Sequence, residues 1–121
     1  MSNGSIVNFI EKHALNHNRG YKTNAVEGYP LESVWEYYNH PSGNFRAGIW
    51  ECSAGAWTHN HPKTEFCYIM EGEVSIQEEN GPRHDYTAGD AFIVPMGTPV
   101  TWTVKEFCKK VFVGATQLDS E

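Results

Sequence analysis

Residues 58–72 read THNHPKTEFCYIMEG. On a β-strand, side chains at i and i+2 point to the same face, so His59 and His61 would project side by side. Pro62 has no amide to donate and ends that strand, and Glu65 belongs to the next one. A tight hairpin between them would set Glu65 beside the two imidazoles, with Gly72 marking the turn that follows. Two histidines and one carboxylate are a ligand set used by catalytic zinc and non-haem iron. The competing reading is a polar strand end followed by an ordinary turn. Spacing favours the first. With six His in 121 residues, about 0.3 His-x-His pairs arise by chance, roughly 0.03 with the glutamate added, and a few thousandths with the glycine.

Outward from this stretch the chain alternates short β-rich segments with turn residues. ESVWEYYN (32–39), FRAGIWEC (45–52) and AWTHNH (56–61) precede it, separated by HPSGN (40–44) and SAG (53–55). TEFCYIM (64–70), the turn EGE (71–73) and VSIQEE (74–79) run through it to Asn80-Gly81, a strong hairpin signal. RHDYT (83–87), AFIV (91–94), VTWTV (100–104) and CKKVFVG (108–114) complete the run. Turns every 8–12 residues between short strands predict an all-β sandwich or small barrel, such as a jelly roll. Gly72, Gly81, Gly89 and Gly97 read as turn positions with unusual backbone angles.

The first residues are less regular. Ile6, Phe9, Ile10 and Leu15 fall at roughly helical spacing, so 5–15 is expected to form a short helix or a packed arm. Residues 17–32 read as polar and turn-rich. No repeat or linker divides the chain, and we read 1–121 as one domain, with 1–44 as arm and first strands and 45–114 as its core. The formal charge of −6 and the lack of any Lys/Arg cluster with aromatics argue against nucleic-acid binding. No window is apolar enough to span a membrane, and no leader pattern opens the sequence. The cysteines, Cys52, Cys67 and Cys108, are odd in number and match no zinc-ribbon spacing. Core thiols in a reduced, cytoplasmic setting are expected.

The motifs resemble those of a known superfamily. HNHPKTEFCYIMEG (59–72) is similar to the first signature of the cupins, H-x-H-x(3,4)-E-x(6)-G, and GDAFIVPMG (89–97) to the start of the second, G-x(5)-P-x-G-x(2)-H-x(3)-N. GIWEC, EFCYIMEGEVSI, AGDAFIVPMG and TWTV further resemble the small single-domain group related to ureidoglycine aminohydrolases. The resemblance covers residues 45–113 and implies a double-stranded β-helix, the cupin jelly-roll barrel, that pairs as a homodimer. It implies a divalent metal ion (Zn, Mn, Fe or Ni) on His59, His61 and Glu65. Two departures stand out. The second signature's histidine, the usual fourth ligand, falls at Val100, which cannot coordinate, and the glycine expected five residues before His59 sits closer, at Gly55.

Several residues are candidates for the pocket. Trp57 shares the face of His59 and His61 by strand alternation, and Trp102 shares that of Val100. Each reads equally as a core aromatic or as an apolar wall. Cys67 follows Glu65 by two residues and should share its inward face. As a fourth ligand it would favour zinc, although its place along the strand sets it deep. Lys110 matches a lysine of the related small cupins. It reads as an exposed charge or, if inward, as a group that steers a substrate carboxylate. The leading expectation is a metal-dependent enzyme acting on a small polar nitrogen-containing compound, in the manner of an aminohydrolase. A non-catalytic small-molecule binder or sensor is the second, and a non-haem iron dioxygenase the third.

Overall fold

The computed structural model describes residues 5–116. A single 3-10 turn, Glu11–His13, precedes eight strands: β1 (Asn16–Tyr21), β2 (Ala25–Glu27), β3 (Leu31–Asn39), β4 (Phe45–Asn60), β5 (Thr64–Glu78), β6 (Arg83–Thr87), β7 (Ala91–Val94) and β8 (Pro99–Ala115). All pairings are antiparallel, in the order β1-β3-β4-β8-β5-β6, with β2 added to β4 and β7 to β5. The all-β jelly roll read from the sequence is the fold adopted.

The strands differ from expectation in one systematic way. Segments separated by SAG, by EGE and by residues 105–107 are continuous strands, β4, β5 and β8. Each bends where the register shifts: between Ser53 and Gly55 on β4, and between Ile69 and Glu71 and again between Gly72 and Ser75 on β5. A bulge lets a strand turn a corner without ending, and glycine supplies the backbone angle that corner needs. Gly72 has φ +79, and a Cβ there would collide with the Phe107 carbonyl oxygen. The bends fold each long strand into two halves, so one continuous ladder makes both walls of the barrel. At the β5–β6 hairpin the left-handed residue is Asn80 (φ 57) rather than Gly81.

Two further expectations are corrected. Residues 17–32 hold strands rather than only turns, because β1 and β2 borrow their hydrogen-bond partners from β3 and β4 and carry no buried face to pattern them. The connection from β4 to β5 is not a hairpin, since both strands pair with β8 and not with each other. His61, Pro62 and Lys63 instead cross from one wall to the other, held by Gly97 N–H donating to the His61 carbonyl. The N-terminal segment is an arm: Ile6 and Ile10 are exposed, and Phe9 stacks on Tyr37 with centroids 4.6 Å apart.

Inside the barrel lie Trp50, Trp57, Trp102, Ile69, Ile76, Val100, Val104 and Phe112, with all three cysteines buried and unbridged. No helix among the described residues is long and apolar enough to cross a membrane. Replacing Gly72 by alanine is expected to cost more than about 2 kcal/mol, from a strained φ and a steric clash together. Urea unfolding measures it, and a loss below about 0.5 kcal/mol, the ordinary surface value, would refute the role given to the bend.

Candidate functional site

Register brings the sequence candidates to one interior. His59 pairs with Val100, Trp57 with Trp102, and Trp50 with Lys110 across β4 and β8. On the other side of β8, Ile69 pairs with Lys110 and Cys67 with Phe112. Strand alternation then points Trp50, Trp57, Val100, Trp102, Lys110 and Cys67 inward together. The His59 and His61 rings lie 4.3 Å apart, and His61 Nε2 is 3.6 Å from Glu65 Oε1. The crossing segment thus places Glu65 near the histidines, as a hairpin was expected to do.

Lys110 decides the character of this interior. Its side chain is only 5% exposed, and Nζ donates to Glu65 Oε2 at 2.6 Å and to Cys67 Sγ at 3.5 Å. The same ammonium sits 4.2 Å from the Trp102 ring centroid and 4.6 Å from that of Trp50. Indole faces attract a cation through the ring quadrupole, so two of them help a charge that burial disfavours. The Lys110 side chain thus points inward, where its partner is the protein's own Glu65.

The protonation states follow from these contacts. Burial pushes the Glu65 carboxyl up, but the charge and hydrogen bond of Lys110 outweigh it and hold the group down at about 2. Burial likewise opposes the Lys110 ammonium. The neighbouring Cys67 sulfur and Glu65 carboxylate overcome it and raise the lysine above its ordinary value. The Cys67 thiol is itself pushed up to about 12, chiefly by burial. At neutral pH it is uncharged, and Glu65 is the charged partner of Lys110. Burial pushes the His61 imidazole down to about 4, Glu65 only partly opposing, and His59 is lowered by burial and then by the Lys22 ammonium. The centre is one buried ion pair flanked by two neutral imidazoles.

A second ion pair stands beside it, built from residues that motif reading passed over. Glu32 Oε1 accepts from Trp50 Nε1 at 2.8 Å and from Lys22 Nζ at 3.2 Å, and Lys22 lies 5.0 Å from the Trp57 centroid. Glu32 could have been found by parity, because it shares a strand face with Val34, which packs against the core. Lys22 carries no such signal, since it reaches the site from the segment between β1 and β2. At the rim, a cavity of about 350 Å³ is bordered by Asn24, His59, Asn60, Val100 and Thr101. A chamber of about 120 Å³ lies on the other side of Val100, against Ile76, Tyr86, Phe92 and Val94.

Residues 39–112, more than half of the sequence, match the model of the EutQ-like cupin domain. The chain belongs to this cupin family. Solved structures agree with the fold. The cupin superposes on the EutQ protein of Clostridium difficile with a TM-score of 0.64 at 15% identity, covering 71% of this chain and 63% of that one. A DUF861-family protein of Pseudomonas syringae gives 0.74 at 19% identity, over 83% of this chain and 44% of that one. A DUF861-family protein of Thermotoga maritima gives 0.51 at 31% identity, over 53% and 73%. The cupin spans less than two thirds of the length of the first two. No curated protein sequence matches it.

Cupins commonly hold metal ions, so the fit of these residues to one can be tested. Among the described residues no group of three or more His, Cys, Asp or Glu side chains is placed to hold a metal. Lys110 adds a separate obstacle. A divalent ion bound to Glu65 would stand roughly 4–5 Å from the ammonium, a repulsion on the order of 7 kcal/mol at an effective dielectric of about 20. Val100 offers no ligand opposite His59. Cys67, fully buried, keeps its proton and donates to Glu65 Oε2 at 3.3 Å, so it does not complete a zinc set. As arranged, His59, His61 and Glu65 do not fit a metal ion.

The shifts predict a two-stage loss of stability on acidification. His61 takes up protons at about 4 when folded, against 6.5 ordinarily, so its contribution is intact above pH 6.5 and lost as pH falls toward 4. Glu65, at about 2 against 4.5, loses its contribution between those values. Urea midpoints measured from pH 8 to pH 2 should show both stages, and His61→Gln should shrink the upper one. An upper stage unchanged in that variant would contradict the assignment.

Proposed function

We infer that this cupin binds a small polar molecule in a pocket organised by the Lys110–Glu65 ion pair rather than by a metal. The observation that carries this reading concerns buried polar atoms with no hydrogen-bond partner. Of the three such side-chain atoms among the described residues, two, His61 Nδ1 and Trp102 Nε1, lie here on residues each 2% exposed. The third is Trp35 Nε1 on β3. Buried polar atoms are nearly always paired, because an orphan costs about 1–3 kcal/mol. The His61 and Trp102 rings are 5.8 Å apart beside the ion pair, where a ligand offering an acceptor to the indole N–H and a donor to the imidazole nitrogen would satisfy both. The rim cavity meets this interior only through His59 and Val100, and the ion pair, His61 and Trp102 do not border it. Glu65, with 18% of its side chain exposed, remains within reach from solvent.

The aminohydrolase and iron-dioxygenase readings both route chemistry through a divalent ion on Glu65, and the ammonium on that carboxylate stands against them. Binding, the second expectation, is what this geometry supports. Thermal unfolding against a panel of small polar compounds tests it. A true ligand at 100 times its Kd adds about 2.7 kcal/mol, several degrees in Tm for a domain of this size. Trp102→Phe, which keeps an aromatic ring and removes the N–H, should abolish most of that shift. A full shift in Trp102→Phe would place the ligand elsewhere.

We further propose that two copies pair through the outer face of β5 and β7. Phe66, Tyr68, Met70 and Ile93 point out there, each at least 39% exposed, and Phe66 is in register with Ile93 and Val113. An apolar face this continuous is rarely left to water in a monomer. Sedimentation equilibrium should return a dimer mass, and Tyr68→Glu a monomer. A wild-type monomer at high micromolar concentration would end the proposal.

A further inference from the structure

We propose that the chamber on the far side of Val100 binds a neutral single-ring compound carrying one hydroxyl, a phenol, with the His84–Glu78 pair as its polar anchor. Neither the Lys110–Glu65 pair nor His61 nor Trp102 borders this chamber, so either site can exist without the other. Register builds it. Glu78 lies opposite Val100 and Ile76 opposite Trp102 across β5 and β8, while His84 on β6 pairs with Ile76. Strand alternation therefore points Glu78 and His84 to the same side as Val74 and Ile76, which belong to the core. An imidazole and a carboxylate occupy inward positions that a filled barrel would give to apolar side chains.

The barrel is not filled there. About 120 Å³ of space lies between this pair and Phe92, Val94 and Val100. Its inner wall is apolar: Ile76, Val94 and Val100 are buried, and the Phe92 ring stacks on Tyr86 with centroids 3.8 Å apart. The polar pair stands at the mouth, each side chain 39% exposed. An engineered apolar cavity of about 150 Å³ takes up benzene, so this space suits one ring and little more. His84 Nε2 lies 2.7 Å from Glu78 Oε2. A carboxylate only accepts, so that nitrogen carries the proton. Nδ1, with no hydrogen-bond partner among the described residues, is left as an acceptor to which a ligand hydroxyl can donate. A ligand carboxylate would instead meet the like charge of Glu78, which selects a neutral hydroxyl. An apolar chamber with a few convergent polar groups is the usual form of a small-molecule site.

The experiment is NMR titration of the full chain with phenol, and with benzene as the probe that lacks the hydroxyl. Wild type should bind phenol saturably with a Kd below about 1 mM, modest for a ligand of this size. Nuclear Overhauser contacts should run from the phenol ring to the Val94 and Val100 methyl groups. In His84→Leu the advantage of phenol over benzene should fall about tenfold, the share of one hydrogen bond. Val94→Phe, which fills the chamber, should abolish binding of both probes, and Val100→Phe serves if that variant does not fold. Phenol binding that fails to saturate, or ring contacts to residues outside the chamber, would overturn the proposal. So would a His84→Leu protein that keeps the full preference for phenol, or a folded Val94→Phe or Val100→Phe that still binds it.

Discussion

A single ammonium–carboxylate contact, Lys110 to Glu65 across the barrel interior, organises the rest of the site. A lysine with its side chain 5% exposed is tolerable only if something replaces the water it lost. The replacement comes from three strands: the carboxylate and Cys67 from β5, the Trp50 ring from β4 and the Trp102 ring from β8 itself. Each of those groups is constrained in turn. Trp50 is fixed by its hydrogen bond to Glu32, and Glu32 by Lys22. Cys67 stays a thiol because burial raises it. The interior is a chain of charges and indoles alternating in sign, and its neutrality as a whole lets it exist inside a small core.

This arrangement changes what the cupin signature means here. His59, His61 and Glu65 match the cupin signature in sequence, yet they are not placed to hold a metal and their electrostatic setting belongs to a different kind of site. The positive charge a metal would bring is already present, delivered by a side chain from β8. Neutral imidazoles beside it have no cation to coordinate and are left as polar walls, one with an unpaired nitrogen. On the proposed reading, the same signature residues would line a pocket for a polar ligand. Membership of the EutQ-like cupin family describes the scaffold, while the chemistry is written by the residues around the signature.

Much of the fold was legible because its signals are local. Period-2 alternation, Asn80-Gly81 and the turn at 88–90 act within a few residues, and they located most strand segments. Local signals failed where a strand bends without stopping. SAG and EGE carry the same residues whether a chain turns back or rounds a corner, and only the partner strand β8 tells these apart. β1 was missed for a related reason: NHNRGY is exposed on both faces and is a strand because β3 offers it hydrogen bonds. The site divided along the same line. His59, His61 and Glu65 were found by spacing, whereas Lys22 and Glu32 reach it from segments where no motif marks them.

By itself the sequence determined the all-β class, the family signature and the meeting of two histidines with a glutamate, because those depend on the two-residue period of a strand and on short spacings. Tertiary structure alone decided the electrostatic setting of that meeting. Lys110 lies 45 residues from Glu65, and which face of β8 it occupies, and which carboxylate it meets, depend on the register of three strands at once. A shift of one residue in that register would turn the lysine out to solvent. Charge acts through space over a few ångströms, and only the folded barrel brings this lysine within that distance.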